Sequence, residues 1–300
     1  MTVLHYKPQV WSKVLLAALE KSLVFGSSYV INHDYEGEIQ KLGDVLHITS
    51  MADPVISNYV INAGLNYQQI TDAGQSLQID QAKYWATILN DVDRRQQMGD
   101  FQGFFEDRAN YKLADQMDQF IASMYTGVDP NNVLGSSGSP LTPGLYNSSS
   151  APADVYLKIL LPLRVLLSQN NVPMEGRYCV MPPWMTALLA QTQAFLAFPG
   201  NDGTPGQVLE NGVVGRAAGF TILESNNAVQ TVAGGPGTGV WAIQAGHNSA
   251  ITFGDQVAEN EALRAQTDFG DLVRGLHVYG AKLTRPEAIA VAYALRPTGV

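Results

Sequence analysis

The sequence predicts a mixed α+β protein. Three observations carry this reading: one long amphipathic helical stretch over 100–126, many short β-prone runs bounded by glycine and proline, and no regular strand–helix–strand alternation. With 300 residues and no internal repeat, the chain can bury a real core as one large domain or two modest ones.

Trp11, Leu15, Leu19 and Leu23 recur every four residues, with Val14, Ala18 and Ser22 beside them, which predicts an amphipathic helix ending at Gly26. The segment from Asn32 to Glu38 is a polar connector, and Gly43-Asp44 marks a turn. From Val45 to Ile79 the pattern becomes strands: Val45–Thr49 leads up, Tyr59-Val60-Ile61 is β-rich, and Leu77-Gln78-Ile79 returns. These pieces are short and polar, so the region reads as an extended hairpin without a core of its own.

Residues 100–126 place Phe101, Phe104, Phe105, Leu113, Met117, Phe120, Ile121 and Met124 on one stripe. Glu106, Asp107, Arg108, Lys112, Asp115 and Asp118 take the other positions. At 1.5 Å per residue the rod is roughly 40 Å long. Residues 128–153 are rich in Pro, Gly, Ser and Asn and predict a domain boundary or a long surface loop. A helix over 156–167, kinked at Pro162, then a strand at 177–181 and a helix opened by Pro182-Pro183 follow. Glycine-rich loops at 199–212 and 232–239 separate short strands at 219–224, 240–244 and 249–253. The C-terminal stretch reads as a hairpin: Leu272 to Leu283 out, a turn over Thr284–Glu287, and Ala288 to Leu295 back.

Composition narrows the function classes. The charged share is 15%, well below the usual quarter, while the apolar share of 46% is ordinary. A weakly charged polar surface suits a protein packed against copies of itself, because charge is depleted at interface centres. A net charge of −9 and no basic run longer than Arg94-Arg95 argue against a sequence-independent grip on nucleic acid. The single Cys179 lies in the apolar run Tyr178–Met181 and predicts a core thiol in a reducing compartment. No stretch approaches the ~18 consecutive apolar residues of a membrane span, and the N-terminus lacks the pattern of a signal peptide.

Motifs for chemistry are weak. His5, His33, His47, His247 and His277 are scattered, with no zinc spacing. Asn32-x-Asp34-x-Glu36-Gly37 imitates half a calcium loop, but its twelfth position is Gly43 rather than a carboxylate. Asp91 and Asp93 are followed directly by Arg94 and Arg95, which reads as local ion pairing. Gly237-Thr238-Gly239 precedes a β-prone run rather than a helix, so it reads as a loop tip and not a dinucleotide turn. No catalytic constellation, metal site or cofactor site is expected.

The ordered motifs do resemble a family. Leu23-Val24-Phe25-Gly26, Asn32-x-Asp34-Tyr35-Glu36-Gly37-Glu38-Ile39 and Gly43-Asp44-Val45 precede the long helix. Gly212-Val213-Val214-Gly215-x-x-x-Gly219-Phe220, Glu261-x-x-Arg264-x-x-Thr267-x-Phe269-Gly270-Asp271, Arg274–Gly280 and Pro286-Glu287-Ala288 follow it. In this order, spanning nearly the whole chain, they resemble the tailed-bacteriophage major capsid proteins of the Hong Kong 97-like fold.

The resemblance implies an N-terminal arm at 1–43 and an extended loop at 44–82. It implies a peripheral domain at 83–149 and 271–300, holding the spine helix 100–126, and an axial domain at 150–270. It implies a coat protein that self-assembles as pentamers and hexamers into an icosahedral head enclosing double-stranded DNA without sequence-specific binding. Partners would be a separate scaffolding protein, a portal and a decoration protein, with assembly in the host bacterial cytoplasm and no membrane. Inter-subunit contacts are expected at Trp11 and Phe25 of the arm, at Tyr59, Ile61, Tyr67 and Ile70 of the extended loop, and at axial loop tips near Gly203, Gly206, Gly234 and Gly239. Some relatives lock the shell with an isopeptide bond from an extended-loop lysine. Here 43–81 holds no Lys or Arg, and Asp44, Asp53, Asp72 and Asp80 give it −4, so a non-covalent shell is expected. The alternatives are a cellular nanocompartment shell enclosing cargo enzymes, or a soluble enzyme with an unrecognised site.

Overall fold

The computed structural model describes residues 23–33, 45–51, 55–58, 67, 69, 72–90, 101–143, 154–190, 213–265 and 269–298. Two larger sheets organise these residues. The seven-stranded sheet combines β5 (Val133–Leu134), β6 (Arg177–Met181), β7 (Val213–Ala217), β8 (Phe220–Glu224), β9 (Gln230–Val232), β10 (Val240–His247) and β13 (Ile289–Leu295). Its order is β5-β13-β10-β6-β8-β7, with β9 attached to β10. All five residues of β6 are buried, and β10 and β13 are nearly so. Strands covered on both faces need continuous apolar runs, and Tyr-Cys-Val-Met and Ile-Ala-Val-Ala supply them.

Helix α2 (Leu161–Gln169) and helix α3 (Pro183–Ala190) contribute to the same core. Leu163 and Leu167 of α2 and Trp184, Met185, Leu188 and Leu189 of α3 are buried there. The kink expected at Pro162 takes the form of a π turn over Tyr156–Leu160 directly before α2. Widening the preceding turn makes room for a ring that would otherwise meet the carbonyl four residues back. Arg177, at the start of β6, closes the C-terminal end of α2. Its Nε donates to the Pro173 carbonyl at 2.8 Å, Nη1 to Ser168 Oγ at 3.1 Å and Nη2 to the Val172 carbonyl at 2.5 Å.

The four-stranded sheet runs β1 (Ile31–Asn32), β11 (Ile251–Arg264), β12 (Gly270–Leu283), β4 (Gln81–Asn90). Strand β4 falls where the sequence predicted none, and β11 continues through Arg264 rather than ending at 253. Helix α1 (Phe101–Ser123) lies on one face of this sheet, where Phe120 meets Tyr279 edge-on with ring centroids 5.7 Å apart. Tyr279 in turn lies 6.1 Å from Phe253, so an aromatic file links the helix, β12 and β11.

The C-terminal hairpin does not form. Strand β12 pairs with β11 and β4, while β13 pairs with β10 and β5 in the other sheet. The segment 284–288 carries the chain between the two sheets instead of folding it back. Thr284 and Arg285 donate their backbone N–H groups to the Ala250 carbonyl at 2.9 and 3.2 Å. Residues 128–143, expected as a boundary or loop, run alongside β13. Val133 and Leu134 pair with Val291 and Ala292, and Leu141 bridges Ala294. Buried Asn132 supports this path, its Nδ2 donating to the carbonyls of Glu287 at 3.0 Å and Ile289 at 3.1 Å. The Pro/Gly/Ser/Asn composition was a true sign of irregular backbone, exposed at 135–139 but tied to β13 on either side.

Candidate assembly site

The extended hairpin is present as β2 (Val45–Met51) paired antiparallel with β3 (Asp72–Gln78) in a sheet of their own. Its base is anchored to the body. Leu77 and Ile79 are buried, Lys282 Nζ donates to the Ser76 carbonyl at 2.8 Å, and Gln75 Nε2 donates to the Thr284 carbonyl at 3.2 Å. The backbone at Gln78-Ile79 crosses directly over Gly280 of β12, where a β-carbon would lie 2.5 Å from the Gln78 oxygen. Farther out, Val55, Ile56 and Tyr67 are exposed, Ile56 to 95%. Large apolar side chains at that exposure have no burial within their own chain.

A second apolar surface lies on the four-stranded sheet, on the face away from α1. Residues two apart share a strand face. Register pairs Tyr84 with Leu276, Ile88 with Leu272, and Leu272 with Leu263. All five are exposed, Tyr84 to 78%. Among the described side chains an ion pair interrupts the apolar field: Arg274, between the leucines, holds Glu261 across the strands at 2.6 Å, and the register sets Glu259 opposite Leu276. Arg264 and Asp271 pair at 3.0 Å near the tip, where Phe269 is also exposed. With these two pairs matched, the leucines and Tyr84 are the described groups that gain most from leaving water.

The residues predicted as contacts divide. Tyr67 is exposed, and Gly234 is exposed in its loop. Phe25 corrects the expectation: it is 1% exposed within the chain's own core. The turn 24–30, closed by Ser27 N–H to the Val24 carbonyl and Val30 N–H to the Ser27 carbonyl, folds it inward. Gly239 is buried as well, where a β-carbon would meet the Gly234 oxygen at 2.6 Å and the Trp241 ring at 2.6 Å. It serves the loop's closure rather than its outer surface. Trp11, Tyr59, Ile61, Ile70, Gly203 and Gly206 lie outside the described residues.

The sheet face was missed by the sequence reading, although a signal existed. Tyr84-Trp85-Ala86-Thr87-Ile88 and Leu272-Val273 are apolar at both parities of a strand, which calls for two covered faces. Among the described residues only one face is covered.

Where polar groups do gather, they are structural. Asp115 and Asp118, assigned by spacing to the solvent side of α1, are buried and bind the amide of Asn227. Burial pushes the thiol of Cys179 far above the usual range, so it is held neutral and inert. Burial likewise raises Tyr178, with Cys179 adding to it. Among the described residues no group of three or more His, Cys, Asp or Glu could hold a metal ion. No described helix is long and apolar enough to cross a membrane.

The whole architecture matches solved structures of phage particles. A Mycobacterium phage Che8 structure superimposes with a TM-score of 0.73 at 29% identity, covering 97% of this chain and 98% of that one. The capsid structure of Cyanophage P-SCSP1u gives 0.72 at 17% identity, with 97% and 94% covered. The capsid asymmetric unit of Cyanophage Pam1 gives 0.68 at 10% identity, with 100% and 99% covered. No curated protein sequence matches the chain. The model of the family described as phage capsid protein matches residues 75–292, from the hairpin's returning strand into β13. With a Hong Kong 97-like fold and a family match over most of its length, the chain belongs to the phage capsid protein family, as a major capsid protein of a tailed-phage head.

Proposed function

We propose that copies of this chain assemble as pentamers and hexamers into an icosahedral shell held without covalent crosslinks, with the exposed sheet face as a principal inter-subunit surface. The observation that carries this reading is the apolar field of Tyr84, Ile88, Leu263, Leu272 and Leu276, exposed around an ion pair satisfied within the chain. A second copy of the same chain is its occupant, since a shell of one protein buries such faces against itself. The extended hairpin adds a second contact through Val55, Ile56 and Tyr67. Its lysine- and arginine-free stretch supports a shell without isopeptide bonds.

In this reading the arm, extended loop, peripheral domain and axial domain follow 1–43, 44–82, 83–149 with 271–300, and 150–270. The seven-stranded sheet forms the axial body, with β13 inserted into it from the C-terminal segment. The chain performs no catalysis and takes no cofactor. It encloses double-stranded DNA through a wall of net charge −9 that does not adhere to it. A separate scaffolding protein, a portal and a decoration protein complete the head, assembled in the host cytoplasm.

The test is electron microscopy of the expressed protein with Leu276→Glu and Tyr84→Ser combined. Wild type forms closed particles, and the variant remains as folded subunits with an unchanged melting temperature. A variant that still forms closed particles overturns the assignment of this face. Wild-type particles carrying enzymes in place of nucleic acid would support the nanocompartment alternative, and a monodisperse monomer would support the soluble enzyme.

A further inference from the structure

Two passages of the chain between its larger sheets meet at one residue. Residues 248–250 lead from β10 into β11, and 284–288 lead from β12 into β13. Fully buried Ala250 joins them. Its carbonyl accepts the backbone N–H groups of Thr284 at 2.9 Å and Arg285 at 3.2 Å, and the Thr284 hydroxyl at 3.1 Å. The turn before it holds Ala250 in place. There the Ala250 N–H donates to the His247 carbonyl at 2.9 Å, and the Ser249 backbone N–H donates to His247 Nδ1 at 3.2 Å. A ring nitrogen that accepts an N–H carries no proton of its own, so in the neutral ring the proton sits on Nε2. That nitrogen faces the loop 175–176. The ring donates to the Glu175 carbonyl, and a β-carbon on Gly176 would lie 3.1 Å from Nε2. One nitrogen thus accepts and the other donates, an arrangement that only the neutral ring can supply.

We propose that His247 is a proton-operated clamp on this crossing, which ties the two sheets together while its ring is neutral and loosens the turn 247–250 when Nδ1 takes a proton from solvent. Protonated Nδ1 can no longer accept the Ser249 N–H. An acceptor for the new proton is at hand, because Ser249 Oγ lies 2.8 Å from the same nitrogen. The ring therefore keeps a partner, and it is the backbone of the turn that loses one. Three charged residues face the ring from the elements packed on it. Arg177 of β6 stands opposite His247 in the strand register, Arg285 comes from the segment 284–288, and Glu175 comes from the loop before β6. Burial does most to lower the ring's affinity for a proton. The Glu175 carbonyl works against this, and the positive charges of Arg285 and Arg177 add to it. Because the folded ring takes a proton less readily than an ordinary imidazole at 6.5, the clamp is closed above 6.5. It opens as pH falls from there through the lower folded value.

Backbone hydrogen exchange of the full-length protein at low ionic strength, corrected for intrinsic rates, tests this on two peptides. One contains Ser249 and Ala250, the other Thr284 and Arg285. In wild type the protection of both falls together from mildly alkaline to mildly acidic pH, by up to about tenfold for each unit that the ring's proton affinity is lowered. His247→Asn sets an oxygen the same number of bonds from the backbone as Nδ1. It accepts the Ser249 N–H at every pH, so both peptides stay protected across the range. Arg285→Gln removes a cation facing the ring and moves the transition to higher pH. The clamp is overturned if wild-type protection does not change with pH, if only the first peptide responds, or if His247→Asn keeps the wild-type fall. Should His247→Asn fail to fold, Arg285→Gln decides: a transition left at the wild-type pH overturns the proposal.

Discussion

Replacing Gly280 by alanine forces a methyl carbon to within 2.5 Å of the Gln78 oxygen, 2.9 Å of Ile79 Cα and 3.2 Å of the Gln78 carbonyl carbon. All three are backbone atoms, so no flexible side-chain end can yield. Relief requires the hairpin base to rise from β12 by several tenths of an ångström. That shift would stretch the Lys282 to Ser76 and Gln75 to Thr284 hydrogen bonds and loosen the burial of Leu77 and Ile79. Overpacking of this kind costs about 1–3 kcal/mol. For a chain of this size that lowers Tm by roughly 2–8 °C. Calorimetry of the subunit reads the shift, and limited proteolysis reads faster cleavage between β2 and β3. A Gly280→Ala protein that melts with wild type and is cleaved no faster would refute the crossing as the hairpin's anchor.

Other perturbations have defined outcomes. Arg177→Met removes three hydrogen bonds and leaves the carbonyls of Pro173 and Val172 without that donor, costing about 2–4 kcal/mol in a denaturant melt. Phe220→Ala empties a fully buried site and costs about 3–5 kcal/mol by the same measurement. Cys179, held neutral by burial, reacts with a thiol reagent only as fast as the chain unfolds, and labelling that outpaces unfolding contradicts its placement. His247 has its proton affinity lowered, chiefly by burial, so the stability tied to it is fully present above 6.5 and is lost as pH falls from there through the lower folded value. Melts of His247→Gln should show a flatter dependence in that window.

Much of the fold was legible because its signals are local. The period of α1, the β-prone run of β2 and the proline that opens α3 each state their own structure, whereas Asp72-Ala73-Gly74 reads as a turn and forms the first half of β3. Ordered glycine and acidic motifs along the chain carried the family resemblance. What stayed hidden depends on distant partners. Nothing in Ile289–Leu295 tells it to join β10 rather than β12, because an apolar strand fits either. Asp115 and Asp118 looked solvated because their spacing matched the charged side of α1, and the amide that receives them lies more than a hundred residues away. Phe25 looked like an arm contact until a turn closed beneath it. The sheet face was legible in principle, in strands apolar at both parities, but a short run reads as core until the fold shows its side chains exposed.

The position of β13 has a consequence for the order in which the protein can be made. It lies between β10 and β5, and among the described residues β5 has no other partner in its sheet. A nascent chain that has emerged through β12 can complete the four-stranded sheet and bring α1 onto it. The seven-stranded body must wait with the edge of β10 open until 289–295 arrives. A subunit cut short by even those few residues thus lacks an interior strand rather than a tail. Translation to that point acts as a checkpoint, keeping prematurely ended chains out of a structure built from many identical copies.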